Sequence, residues 1–267
     1  MDTFNNILQK YSSLTKEHIL NFEKFNNYAL IHHSSSIEGI SLTESETFLL
    51  LDEKLTPASK PLDDTYLVLD HFNALSFILK TAENKEPLNK NIIKNLSGLI
   101  MKNTGGLISC IGGNFDSSKG EYRKVSNYAG NRMFIDYKKV PSFVDSLISY
   151  INSNIDKTNK FSDIYKLSFD AHFQAVSIHP FADGNGRFSR LLMSYIQHYK
   201  NLPLSIIYAQ DKIKYYAALE QTRKQENINV FYDFMFAQTA KHLKAQIKIL
   251  ENKQKLKPGK HGFSFLF

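Results

Sequence analysis

Tryptophan is absent from the 267 residues, and there is a single cysteine, Cys110. A lone cysteine excludes an intramolecular disulfide and a cysteine-dominated metal site. It fits a reducing compartment, so the cytoplasm is the expected location. No apolar run reaches the ~18 residues of a membrane helix, and no membrane partner is expected. The opening MDTFNNILQKYSSL has acidic and amide side chains where a signal peptide would be apolar, so no leader is expected. Zinc-finger spacing and glycine-flanked aromatic motifs of the RNA-recognition type are missing too. Alternating β-branched runs are scarce, which leaves helical periodicity as the dominant signal.

What is present is a well-populated apolar set, 42% of the chain with 20 Phe and 14 Tyr, which excludes a disordered protein. The net charge of +7 raises the question of nucleic acid. Much of the surplus, however, sits at the C-terminus, in Lys241, Lys244, Lys248, Lys253, Lys255, Lys257 and Lys260. A solvated basic surface explains it, and nucleic acid is not the expected partner. That segment can equally pack on the core or on a second copy, so a homodimer is a candidate assembly.

Apolar residues three and four apart predict helices over His18 to His33, Asp63 to Thr81, Asn89 to Met101, Pro141 to Asn154, Phe161 to Ile178, Arg187 to Gln197, Ile207 to Thr222 and Asn229 to Leu250. Thr43 with Glu46 forms a capping box that opens a short helix. Asn103 to Gly120 reads as loop. Tyr122 to Tyr137 is the one strand region, a hairpin turning near Ala129-Gly130-Asn131.

The chemistry concentrates between the two most apolar helices, in His179-Pro180-Phe181-Ala182-Asp183-Gly184-Asn185-Gly186-Arg187-Phe188-Ser189-Arg190. Gly184 and Gly186 permit a sharp turn and close backbone approach to a ligand. A fresh helix N-terminus follows, and its N–H groups suit a phosphate. Arg187 and Arg190 share one helix face and can clamp a polyphosphate. Asp183 is a lone carboxylate of the kind that holds magnesium together with substrate phosphates. His179 is the loop's one side chain that ordinarily titrates near neutrality, and so the natural general base for a hydroxyl.

This run resembles the core motif of the Fic family, His-Pro-Phe-x-Asp/Glu-Gly-Asn-Gly-Arg-x-x-Arg, at every fixed position. The resemblance spans roughly Phe22 to Phe236. It implies an all-α, Fic-type helical bundle with a short β-hairpin flap beside the active site. It also implies transfer of AMP from Mg-ATP to a Ser, Thr or Tyr hydroxyl of a target protein. In that scheme His179 deprotonates the hydroxyl and Asp183 holds Mg2+. Gly184, Asn185 and Gly186 position the transferring phosphate, with Arg187 and Arg190 on the remaining phosphate oxygens. Phe181 anchors the loop. Val125, Ser126, Asn127 and Tyr128 belong to the target-docking flap. Glu121-Tyr122-Arg123 matches the family's usual approach to that flap, whereas the proline-rich stretch after it is reduced to Pro141.

Ser34-Ser35-Ser36-Ile37-Glu38-Gly39 resembles the family's inhibitory motif, Ser/Thr-x-x-x-Glu-Gly/Asn. Glu38 can pair with a phosphate-binding arginine, which by the resemblance is Arg190, while Ser34 helps to fix the helix end. The expected organisation is residues 1–60 carrying the inhibitory motif (Ser34, Glu38 and Gly39), 61–236 forming the catalytic core, and 237–267 a basic helix and tail. Alternatives on the same scaffold are removal of AMP from a modified protein, or transfer of phosphocholine or phosphate. A binding-only module would need a defective motif, and none of the motif positions is defective.

Overall fold

The computed structural model describes residues 2–15, 22–129 and 132–255. The expected helix start at His18, the hairpin tip at Gly130-Asn131 and the basic tail from Lys257 lie outside the described residues. Helix α1 (Asp2–Thr15) occupies a stretch given no element by sequence reading. Phe4, Leu8 and Tyr11 recur at helical spacing and are buried. The Phe4 ring meets Tyr165 and Phe236 edge-on at 5.3 and 5.0 Å.

Helix α2 (Phe22–Ile37) continues past the expected end at His33. Ser34 and Ser35 lie near its C-terminal end and are buried against His71, with Ser35 Oγ 3.1 Å from its Nδ1. Helix α3 (Glu44–Phe48) begins with the expected capping box. A π-helical turn, Leu49–Glu53, follows it. Helices α4 (Leu62–Glu83) and α5 (Lys90–Ile100) come next, and the Asn89 side chain caps α5 by accepting from the Asn91 and Ile92 amides.

The loop expected over Asn103 to Gly120 holds an antiparallel pair, β1 (Leu107–Ile108) with β2 (Phe115–Asp116). The stretch is rich in Gly, Asn and Ser, which is why sequence reading placed strands only further on, where Tyr, Val, Met, Phe and Ile gather. The expected hairpin is β3 (Tyr128–Ala129) with β4 (Arg132–Met133), where Tyr128 faces Met133 in register. Helix α6 (Val140–Ile155) has Pro141 in its first turn. Helix α7 (Phe161–Ile178) matches its expected bounds. Helix α8 (Asn185–Tyr199) follows the central loop. The helix expected from Ile207 starts later, as α9 (Lys212–Gln225). Ile206 and Ile207 fill the core from an extended segment, ahead of a 3-10 turn at Ala209–Asp211. Helix α10 is Asn229–Lys255.

Helices α7 and α8 form the centre, α4 packs across α8, and α1 lies along α10. One buried apolar cluster draws on all of them, from Phe4 to Leu250. This arrangement is a predominantly helical bundle with a small antiparallel hairpin. Among the described residues, no helix is long and apolar enough to cross a membrane.

Helix α8 is buried on nearly all sides, polar residues included. The polar ones are hydrogen-bonded, as burial demands. Gln197 Nε2 donates to Ser168 Oγ and Ser205 Oγ, both at 2.9 Å, and its Oε1 accepts from the Ser205 amide. A helix so fixed holds its N-terminus, the glycine turn, in one place.

Candidate active site

The loop between α7 and α8 is bracketed by two left-handed residues. His179 ends α7 at φ 52°, its amide donating to Ala175 O, and Gly184 starts α8 at φ 73°. A Cβ on Gly184 would stand 2.9 Å from Ile100 Cγ2, so this turn demands glycine on both counts. Histidine in the left-handed region is uncommon and is held there by its surroundings. The Phe181 ring, 1% exposed, packs edge-on against Phe188 and anchors the loop.

Asn185 is placed otherwise than expected. Its side chain is buried and binds the Phe181 backbone in both directions: Nδ2 donates to Phe181 O at 2.9 Å, and Oδ1 accepts from Phe181 N at 3.0 Å. It shapes the turn from behind. The two arginines diverge also. Arg187 lies buried against the end of α5, where Nη1 donates to Ile100 O at 3.1 Å and Nη2 lies 3.5 Å from Met101 Sδ. Its Nε is buried with no acceptor among the described residues. Arg190 turns toward α2. Its Nε donates to Ser34 Oγ at 2.6 Å, one Nη donates to Ser34 O at 3.1 Å, and the same Nη pairs with the Glu38 carboxylate.

Glu38 thus enters the loop from the other end of the sequence. Its carboxylate lies over Gly186, where a Cβ would come within 2.5 Å of Oε1. The first amides of α8 lack intrahelical acceptors, and the helix dipole favours an anion there. Burial alone would raise the Glu38 carboxyl. The charge and hydrogen bond of Arg190, with Arg187 and Lys212 adding to them, outweigh it and hold the group below its ordinary value. Burial likewise works against the Arg190 charge, and Glu38 more than restores it. Gly39, in a left-handed conformation at φ 102°, turns the chain away. Asp183 is exposed, its carboxylate 3.9 Å from Arg187 Nη2. Groups of three or more His, Cys, Asp or Glu able to hold a metal are absent among the described residues. Asp183 therefore fits a magnesium ion only where substrate oxygens complete the shell.

The hairpin stands beside His179. The Phe134 ring stacks on the imidazole with centroids 3.9 Å apart. Phe134 N donates to Asn127 O, and Asn127 Nδ2 reaches Phe181 O and Ala182 O at 3.4 Å. Val125, Ser126 and Tyr128 are exposed. A cleft of about 200 Å3 opens between Glu38, His179, Gly186 and Arg190 on one side and Tyr215, Tyr216 and Leu219 of α9 on the other.

Sequence reading missed two contributors. The α9 tyrosines carry no motif. Arg123 was noticed as part of a pattern, but its task was not. It is 1% exposed and donates to His179 O (2.8 Å), Val125 O (2.8 Å) and Ile135 O (2.7 Å), while its own amide donates to Pro180 O. The signal available was an arginine opening an apolar strand region.

A left-handed histidine, a glycine turn and a buried arginine pair at a helix N-terminus define a helical protein with an anion-binding loop. Residues 87–197 match the sequence model of the Fic/DOC family. Over 208 residues the chain is 29% identical to the protein adenylyltransferase Fic of Aedes aegypti, covering 77% of this chain and 38% of that protein. Its counterpart in Drosophila erecta is 28% identical over 215 residues, 80% of this chain and 40% of that one. This chain therefore spans about two fifths of the length of those relatives. A crystal structure of a Fic-domain signaling protein from Bacteroides thetaiotaomicron superposes with a TM-score of 0.79 at 25% identity, covering 93% of this chain and 98% of that one. Fic-1 of C. elegans shares the fold, with a TM-score of 0.71 at 17% identity over 96% of this chain and 72% of that one. The chain is similar to the Fic/DOC family over residues 87–197, the stretch that contains the loop from His179 to Arg190.

Proposed function

We infer that this chain transfers AMP from ATP to a hydroxyl side chain of another protein, and that Glu38 holds the site in an inhibited state. The relatives named as adenylyltransferases support the reaction class. The observation that carries the inhibited state is the pairing of Glu38 with Arg190 over Gly186. A carboxylate there takes the place of a phosphate oxygen at the helix N-terminus. With Glu38 present, the cleft of about 200 Å3 falls short of the roughly 300–1,000 Å3 usual for ligand pockets.

Once Glu38 withdraws, Arg190 is free to hold the terminal phosphate. Arg187 stays on Ile100 O and adds its charge to the same seat, as it does to Glu38. His179, fixed between Phe134 and the end of α7, accepts the proton of a hydroxyl presented along the hairpin edge. Asp183 would hold a magnesium ion, which when bound supplies charge neutralisation to the phosphates. Alignment and charge carry such a transfer, since phosphoryl chemistry needs little covalent help from the protein.

The test is labelling with tagged ATP and magnesium, using intact chain. Glu38→Gly is expected to raise labelling at least about tenfold, as expected from losing a charged hydrogen bond. Adding His179→Ala is expected to abolish it. Equal labelling by parent and Glu38→Gly would sink the inhibited state, and labelling that survives His179→Ala would sink the base. The mass added to the labelled protein decides between AMP and the phosphocholine or phosphate alternatives.

A further inference from the structure

A second cleft, of about 530 Å3, lies at the base of the hairpin, lined by Lys94, Lys124, Lys138, Glu121, Tyr122, Arg123 and Tyr137 among others. Its charge is unbalanced. None of the three lysines makes an ion pair among the described residues, and the nearby carboxylates, Glu121 of the lining included, have other partners. Glu121 accepts from the Asp116 amide at 2.9 Å, Asp136 accepts from the Lys138 amide at 2.9 Å, and Asp145 pairs with Lys90 at 2.9 Å. Arg123 gives its donors to backbone carbonyls.

Lys138 is exposed, but the other two are not fully solvated. Lys94 and Lys124 are half-buried. Lys124 Nζ is held on Asn114 O at 2.6 Å, and Lys94 Nζ stands 5.2 Å above the Tyr122 ring. The tip of the β1–β2 hairpin closes one wall: a Cβ on Gly112 would overlap Lys124 O, and Cys110 Sγ lies 3.3 Å from the same oxygen. Tyr122 adds a buried hydroxyl that no described residue hydrogen-bonds. Three cations around one cleft, with no ion pair of their own, attract an anion there.

We propose that this cleft receives an acidic side chain of the target protein, a few residues from the modified hydroxyl. The proposal rests on the hairpin's being the docking edge. Lys124 precedes Tyr128 of β3 by four residues, with a bend at Val125, so the two lie within about 13 Å, the reach of four extended residues. A target strand paired along β3 or β4 carries its flanking residues over this cleft. Three lysines then select acidic flanks and reject basic ones.

The probes are two fluorescein-labelled peptides built around one serine, one flanked by glutamates and the other by glutamines, titrated against the intact chain. The glutamate peptide is expected to bind about tenfold more tightly at low salt, with the advantage shrinking at high salt. The Lys94→Gln, Lys124→Gln, Lys138→Gln triple variant is expected to lose that advantage. Equal binding of both peptides to the parent chain, or an advantage that survives the triple substitution, overturns the proposal. Should the triple variant not fold, the comparison on the parent chain decides. Because the readout is binding, it stands apart from the transfer reaction, whose own test is His179-dependent labelling.

Discussion

Ser34 is the residue on which the closed state is most open to test. Its hydroxyl accepts from Arg190 Nε at 2.6 Å in a buried setting. Ser34→Ala removes this acceptor without touching Glu38 or the loop. A hydrogen bond to a charged donor contributes about 1.5–3 kcal/mol, so the open population rises roughly tenfold or more. Labelling by Ser34→Ala is thus expected to lie between those of the parent and Glu38→Gly, and a rate equal to the parent's would remove Ser34 from the lock. Gly186→Ala is expected to act differently. The new Cβ would meet both Glu38 Oε1 and Arg190 Nη1. It crowds the inhibitor and the anion seat together, so nucleotide affinity, read by calorimetry in the Glu38→Gly background, falls. Protonation of Glu38 itself is a poor release signal. Its folded pKa lies below the ordinary 4.5, so the pairing is fully present above that value. It is lost only as pH falls through the depressed one.

The hairpin and the catalytic loop act as one element because Arg123 ties them. Its guanidinium joins carbonyls on both sides of the hairpin to the carbonyl of His179. Arg123→Met removes all three bonds and frees the hairpin from the loop. KM for the protein target is expected to rise, with nucleotide affinity in the Glu38→Gly background little changed; Arg123→Lys, able to reach one carbonyl at a time, recovers part of the loss. A fall confined to thermal stability, with KM for the target untouched, would reduce Arg123 to a structural role. The same tie shows where sequence reading stops. The loop from His179 to Arg190 was legible because glycine turns and charged residues interrupt an apolar helix pair. Helix α7 was legible because its period is unbroken. Arg123 was not, since three carbonyl acceptors leave no mark in sequence. Asn185 was read as facing the phosphate, though its amide is closed on Phe181. Helix α1 escaped because its apolar stripe is interleaved with amides, and β1–β2 because its stretch is rich in Gly, Asn and Ser.

Across the whole molecule, buried and half-buried histidines tie helices together, two of them at α2. His71 of α4 lies between Ser34 and Ser35. His33 of α2 packs on Tyr208, whose hydroxyl is 3.3 Å from His242 Nδ1 on α10. His172 of α7 bonds the Tyr215 hydroxyl at 2.9 Å and stacks on Phe231. Burial, first among the causes, lowers all four: His33 and His242 to about 4, His172 to about 3, and His71 well below its ordinary 6.5. Each is therefore neutral when folded and protonates more readily when unfolded. Their contribution is complete above pH 6.5 and declines as pH falls from there toward 4 and below. Each contributes a slope of up to about 1.4 kcal/mol per pH unit in that window. Urea unfolding at a series of pH values is expected to show stability dropping steeply below 6.5, with His242→Gln lowering the slope by up to one histidine's share. A stability constant from pH 7 to 5 would mean that these side chains are not held neutral. Since two of the four lie on or against α2, the decline should reach α2 early, and hydrogen exchange of its amides at pH 5.5 should outpace that of α7 relative to their rates at pH 7.5.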